Sequence, residues 1–116
     1  MLLAIPRFRV DLFQQLKTEF GTRVEFFVPE SVIQELEFFS KKGLKGKIEY
    51  RIIKEVMEKN FVKIVDAKAK EADLALLELS QQGFYIASND KELRKKIKTV
   101  RGKNIYLKRK RFIEIE

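Results

Sequence analysis

The sequence predicts an α/β protein with a mostly parallel sheet, and three observations carry that reading. Short apolar, β-favouring runs alternate with stretches of helical periodicity along the whole chain. One junction, Gly83 to Arg94, reads as a buried strand running straight into a capped helix, with Asp90 just beyond the strand's carboxyl end. The chain has 116 residues, 45% hydrophobic and 36% charged, which suits a single globular domain with its own core. Strands alternating with helices imply right-handed βαβ units and a sheet covered on both faces.

Each element has its own signal. Leu12, Phe13, Leu16 and Phe20 recur at helical spacing and Gly21 stops them, so a first helix is expected over Val10 to Phe20. Val24 to Val28 is a short apolar strand. Pro29 suits the first turn of a second helix, whose Val32, Ile33, Leu36 and Phe39 form an inward stripe. Lys41 to Lys47 is expected as a mobile basic loop. A third helix follows over Lys47 to Lys59, with Ile48, Ile52, Ile53 and Val56 on its inner face, and Phe61 to Val65 is a second strand.

The Ala- and Leu-rich run from Ala67 to Gln81 reads as a fourth helix with Ala72, Leu76 and Leu79 inward. Phe84 to Ala87 is the focal strand. It leads into a fifth helix, Asp90 to Lys98, whose opening carries Asn89 with Glu92 three residues on, the pattern of a capping residue and its partner. Asn104 to Leu107 is a last β-like run, and Phe112, Ile113 and Ile115 suit a terminal edge strand.

Composition narrows the chemistry. There is no Cys and no His, which removes disulfides, thiolates and imidazole as ligand or base. Carboxylates are what remain for holding a metal, and oxygen-only ligation suits Mg²⁺ or Mn²⁺ and argues against zinc. No G-x-G-x-x-G follows a strand and no phosphate-binding G-x-x-x-x-G-K-[ST] is present. The opening Met1 to Ile5 is too short for a signal segment and nothing approaches transmembrane length, so a cytoplasmic protein without membrane association is expected.

Net charge is +8 and unevenly placed. Lys91 to Arg111 holds eleven basic residues against the single acid Glu92, a local +10 that leaves −2 for the rest. That segregation favours a polyanionic partner, most simply nucleic acid, over a merely solvated surface.

Three acids stand out by position. Glu35 lies beside Leu36 on the second helix, Asp73 early in the fourth, and Asp90 at the strand-to-helix junction. Each also has an ordinary account, as a helix-flank acid or as a first-turn acid favoured by the helix dipole. Their shared placement near inferred strand ends is what points to a metal site, since open α/β sheets bind ligands there.

In order, Val28-Pro29-Glu30-Ser31-Val32-Ile33-Gln34-Glu35-Leu36, then Ala72-Asp73-Leu74-Ala75-Leu76-Leu77-Glu78-Leu79, then Ile86-Ala87-Ser88-Asn89-Asp90-Lys91-Glu92-Leu93-Arg94 resembles a PIN domain, most closely the archaeal and ribosome-processing branch. The resemblance runs over nearly the whole chain to Ile105–Phe112, and the [ST]-N-D-x-x-[LF] block is its most specific part. It implies a three-layer α/β/α sandwich with parallel strands in the order 3-2-1-4-5. It also implies a cluster of acids holding Mg²⁺ or Mn²⁺ for phosphodiester hydrolysis, with Glu35, Asp73 and Asp90 as catalytic and metal-holding residues and Ser88 and Asn89 orienting Asp90.

One departure has physical consequences. The family opens with a central strand ending in Asp-Thr-Asn, which has no counterpart here, and Met1 to Phe8 resembles the segment immediately after that motif. The domain, residues 1–116, is therefore expected to be amino-terminally truncated relative to the family, with Met1 an internal methionine. A sheet lacking its central strand leaves a gap edged by unpaired backbone. The two half-sheets could pair directly, the Phe112 to Ile115 segment could enter, or a strand could be exchanged with a second copy in a homodimer.

The function this implies is a metal-dependent endoribonuclease, impaired if the fourth acid is lost. Lys91, Arg94, Lys95 and the cluster Lys108, Arg109, Lys110 and Arg111 would hold the RNA backbone. Two alternatives stand beside it: a non-catalytic RNA-binding or ribosome-assembly module, and the toxin of a toxin–antitoxin pair with a protein antitoxin as partner.

Overall fold

The computed structural model describes all of residues 1–116. The chain runs α1 (Ala4–Phe8), α2 (Leu12–Phe20), β1 (Phe27–Pro29), α3 (Glu30–Ser40), α4 (Leu44–Lys59), β2 (Lys63–Val65), α5 (Ala72–Gln81), β3 (Tyr85–Ala87), α6 (Lys91–Thr99), β4 (Lys103–Lys108) and β5 (Phe112–Ile115). The α/β class follows from this order. No helix is long and apolar enough to cross a membrane.

Local chemistry explains most element ends. Asp11 caps α2 by accepting from the Gln14 N–H, and Gly21, at φ +96°, closes it with an N–H to the Lys17 carbonyl. α1 is absent from the sequence reading, which places the first helix only from Val10. Pro6 sits in its first turn, where the missing N–H costs nothing, and Ala4 and Ile5 are buried beneath it.

α4 corrects the sequence reading twice. It starts at Leu44, so the basic loop shrinks to residues 41–43. Gly46 is inside the helix because a Cβ there would stand 2.8 Å from the Phe39 carbonyl oxygen, where α4 crosses α3. The buried face is Gly46, Glu49, Ile53 and Met57, whereas Ile48 and Ile52, expected inward, are exposed. Buried Glu49 accounts for the rotation: Arg7 of α1 donates to it through Nε at 2.8 Å and Nη2 at 3.3 Å, so a charged pair occupies the inner face. The fourth helix of the sequence reading also starts later than expected, as α5 at Ala72, with Ala75 and Leu79 fully inside.

Two cores lie among the elements. The larger joins Ile5, Leu12, Phe13, Leu16, Leu36 and Ile53 of the first four helices to Val28 of β1 and Ile105 of β4. The smaller joins Leu79 of α5, Ile86 of β3, and Leu93 and Ile97 of α6. Helices thus cover two sides of the strands, in the α/β/α manner.

The strands form two sheets. β1 pairs with β2 in parallel, β3 with β4 in parallel, and β4 with β5 antiparallel. The expected continuous 3-2-1-4-5 order is not formed: β1 and β3 each end a sheet. The gap is closed neither by direct pairing nor by the Phe112 to Ile115 segment, which lies on the far edge of β4 as β5. A cavity of about 590 Å³ occupies the space, lined by residues of both strands.

Candidate active site and nucleic-acid interface

The Ser88–Asn89–Asp90 loop is held at three points. Buried Ser88 donates its N–H to the Ile105 carbonyl at 2.9 Å, and its Oγ accepts from the Asp90 N–H at 3.1 Å. Asn89 Oδ1 accepts from the Leu107 N–H of β4 at 2.9 Å. Asp90 itself caps α6, its Oδ1 accepting from Glu92 N–H at 2.9 Å and Leu93 N–H at 3.4 Å, while Oδ2 makes no hydrogen bond. The cap is therefore Asp90 and not Asn89. A side chain that accepts from N2 and N3 donors satisfies two of the orphan N–H groups of the helix.

Glu35 and Asp73 come from α3 and α5, which pack together, and both line the cavity between the half-sheets, as does Ser88. Both carboxylates are exposed at its edge, with no ion pair or hydrogen bond to the protein. Asp90 is not among the residues lining that cavity, and no three acids converge on one point. Glu35, Asp73 and Ser88 thus line one cavity, while Asp90 and Asn89 lie on the adjoining loop.

The donors at the cavity edge are oxygen only and form no ion pair, although Lys42 and Lys70 line an adjoining pocket with Glu35. Such donors suit a hard divalent cation such as Mg²⁺, which is commonly held by one or two carboxylates with the rest of its shell water or phosphate.

Among the basic residues, Lys91 and Lys95 are exposed on α6 and Lys108, Arg109, Lys110 and Arg111 are exposed at the β4–β5 turn. Arg109 and Lys110 both have positive φ, 55° and 58°, and the Arg111 N–H closes the turn on the Lys108 carbonyl at 3.1 Å. Arg94 is held differently. Its guanidinium lies 3.7 Å over the Tyr106 ring and donates to Glu116 at 2.7 Å, and Lys98 approaches the same carboxylate at 3.5 Å. Arg94 first and Lys98 second hold the Glu116 carboxyl below its ordinary value.

The sequence carries no signal for Glu116 or for Gln15. Gln15 donates to the Arg111 carbonyl and accepts from the Ile113 N–H, tying α2 to the basic turn across more than ninety residues. Neither pairing has a local spacing by which it could be found.

A family model described as a PIN-like domain matches residues 1–110. A ribonuclease of Methanocaldococcus jannaschii, VapC4, is 25% identical over 117 aligned positions covering 98% of this chain and 89% of the relative. With its α/β order, its [ST]-N-D loop and a family match over almost its entire length, the chain belongs to the PIN-like domain family.

Proposed function

We propose that the protein is a divalent-metal-dependent endoribonuclease acting on RNA. The observation that carries this is that Glu35 and Asp73, from separate helices, line one cavity and neither forms an ion pair, in a chain of the PIN-like family. The similarity to a protein named a ribonuclease supports RNA as the substrate.

Glu35 and Asp73 would hold the cation, with the free Oδ2 of Asp90 as the nearest further acid along the chain from Ser88. Bound Mg²⁺ or Mn²⁺ supplies polarisation of a phosphate oxygen and a lowered pKa for the attacking water. The protein's own part is positional. The Ser88 and Asn89 hydrogen bonds fix the loop that carries Asp90, and α6 places Lys91 and Lys95 directly after it for the RNA backbone. Helix α6 thus joins the acidic loop to the basic face.

The test is cleavage of structured single-stranded RNA with Mn²⁺. Glu35→Gln and Asp73→Asn are expected to lower the rate at least about 100-fold, with metal affinity measured in parallel by calorimetry. Unchanged rates in both variants would remove the site assignment. A second reading, an RNA-binding module without catalysis, is favoured by the lack of three converging acids. Salt-sensitive RNA binding without divalent-ion binding would select it.

A further inference from the structure

Beside the acid pair lies a second pocket, to which the nuclease reading gives no task. It has a volume of about 510 Å³ and is walled by α3, by Lys42 just after it, and by residues 70–72, which lead into α5. No strand residue lines it, so its shape is independent of the gap between the two sheets. Ser31, Gln34, Glu35 and Phe38 fall at i, i+3, i+4 and i+7 and so share one face of α3. Glu35 lines both cavities, which places this pocket directly alongside the acids proposed to hold the cation.

The side chains gathered there have little to do for the fold. Phe38 is 66% exposed and lies outside both cores, a large ring left in solvent. Gln34 and Glu71 are exposed, and neither Lys42 nor Lys70 forms an ion pair. The two lysines offset the carboxylates of Glu35 and Glu71, so an incoming phosphate meets no net negative field. An aromatic face, an amide beside it and free cations at its border are what an unpaired nucleotide requires: a surface for stacking, partners for the base edge, and charge for the phosphate. An apolar protein segment would fit poorly, because the ring is surrounded by Gln34, Lys42, Lys70 and Glu71. The Lys42 ammonium now stands 4.9 Å from the centre of the Phe38 ring. Such an exposed cation–π contact is weaker than base stacking, so a base can take the ring and release Lys42 to a phosphate.

We propose that this pocket holds one unpaired nucleotide of the RNA next to the bond that is cut. Its base stacks on Phe38, its edge meets Gln34 and Glu71, and its phosphate is held by Lys42 and Lys70. This assignment rests on the RNA-directed reading of the acid pair and narrows the substrate class to RNA that is single-stranded at the site. A base inside a duplex has no free face to offer the ring.

The experiment reads binding without divalent metal, so that it does not depend on cleavage, and cleavage with Mn²⁺ in parallel. A short single-stranded RNA carrying 5-iodouridine is titrated with the 116-residue protein and irradiated, and the crosslinks are mapped by mass spectrometry. Expected are a crosslink at Phe38, affinity at least about five-fold weaker in Phe38→Leu, and recovery of affinity in Phe38→Trp. Replacing Lys42 and Lys70 together by Gln should lower the magnitude of the slope of log affinity against log salt by about 1.4. The same RNA in a perfect duplex should compete at least about five-fold less well. Unchanged affinity in Phe38→Leu, crosslinks confined to α6 and the β4–β5 turn, equal competition by the duplex, or no RNA binding by the unaltered protein would each overturn the assignment. The ribonuclease reading fails separately, when the protein binds RNA through Phe38 and cleaves nothing with Mn²⁺.

Discussion

Glu49 is the acid that the fold buries most completely, and Arg7 is what makes that tolerable. Hydrogen bonding from Arg7 is the largest influence on its carboxyl, outweighs the opposing effect of burial, and holds it below the ordinary 4.5. A carboxyl whose folded pKa is depressed contributes stability that is fully present above its unfolded value and lost as pH falls through the folded one. Glu116 acts in the same direction through Arg94. The urea midpoint is therefore expected to fall as pH is lowered below about 4.5, and Glu49→Gln should flatten that dependence. Equal slopes in the two proteins would show that Glu49 is not the linked group. At neutral pH, Arg7→Met is expected to cost roughly 2 kcal/mol, the penalty of stranding a buried carboxylate, moderated because Arg7 is itself partly exposed. Asp90 separates structure from chemistry in a similar way. Asn is as good a cap as Asp, so Asp90→Asn should leave the thermal midpoint nearly unchanged, whereas Asp90→Ala should lose about 1 kcal/mol, read by chemical denaturation.

At the scale of elements, the β4–β5 turn sets backbone comfort against charge. Two consecutive positive-φ residues form a turn that normally favours Asn-Gly, yet here they are Arg109 and Lys110. Lys110→Gly is expected to stabilise the protein by roughly 0.5–1 kcal/mol while weakening RNA binding, as measured by denaturation and by titration with a single-stranded RNA. A variant that gains stability and binds RNA as before would show that the turn has no part in binding. Much of this architecture is legible in the sequence, because apolar periodicity and helix-stopping residues act over a few positions: α2, α3 and β3 fall within a few residues of their expected places. What is not legible depends on partners far along the chain. Asn89 looks like the cap of α6 by spacing, but its side chain is taken by the Leu107 N–H, and Asp90 caps instead. The inner face of α4 is turned by Arg7, which periodicity within α4 does not contain. Glu35 and Asp73 are identifiable through the PIN resemblance, whereas their meeting at one cavity depends on the packing of α3 against α5.

For the whole molecule, the question is whether the basic third of the chain acts as one surface. α6 packs on β4 and β4 pairs with β5, so Lys91, Lys95 and the turn residues belong to a single β3–α6–β4–β5 unit, with Gln15 of α2 bracing its turn. Arg94 and Lys98 share Glu116, which neutralises part of their charge inside the unit. Of the cations assigned to the RNA backbone, those left to meet phosphate are then Lys91, Lys95 and the turn cluster. Each contact to a single strand contributes about 0.7 to the slope of log affinity against log salt, through counterion release. Replacing Lys91, Lys95, Arg109 and Lys110 together by Gln should therefore lower the magnitude of that slope by about 3. Arg94→Gln alone should change it by less than one contact's worth, because its charge is already paired. Fluorescence anisotropy of a labelled RNA over a salt series reads both slopes. If Arg94→Gln removed as much slope as Lys91→Gln, the Glu116 pair would have to open on binding, and the basic surface would extend beneath the carboxyl end of the chain.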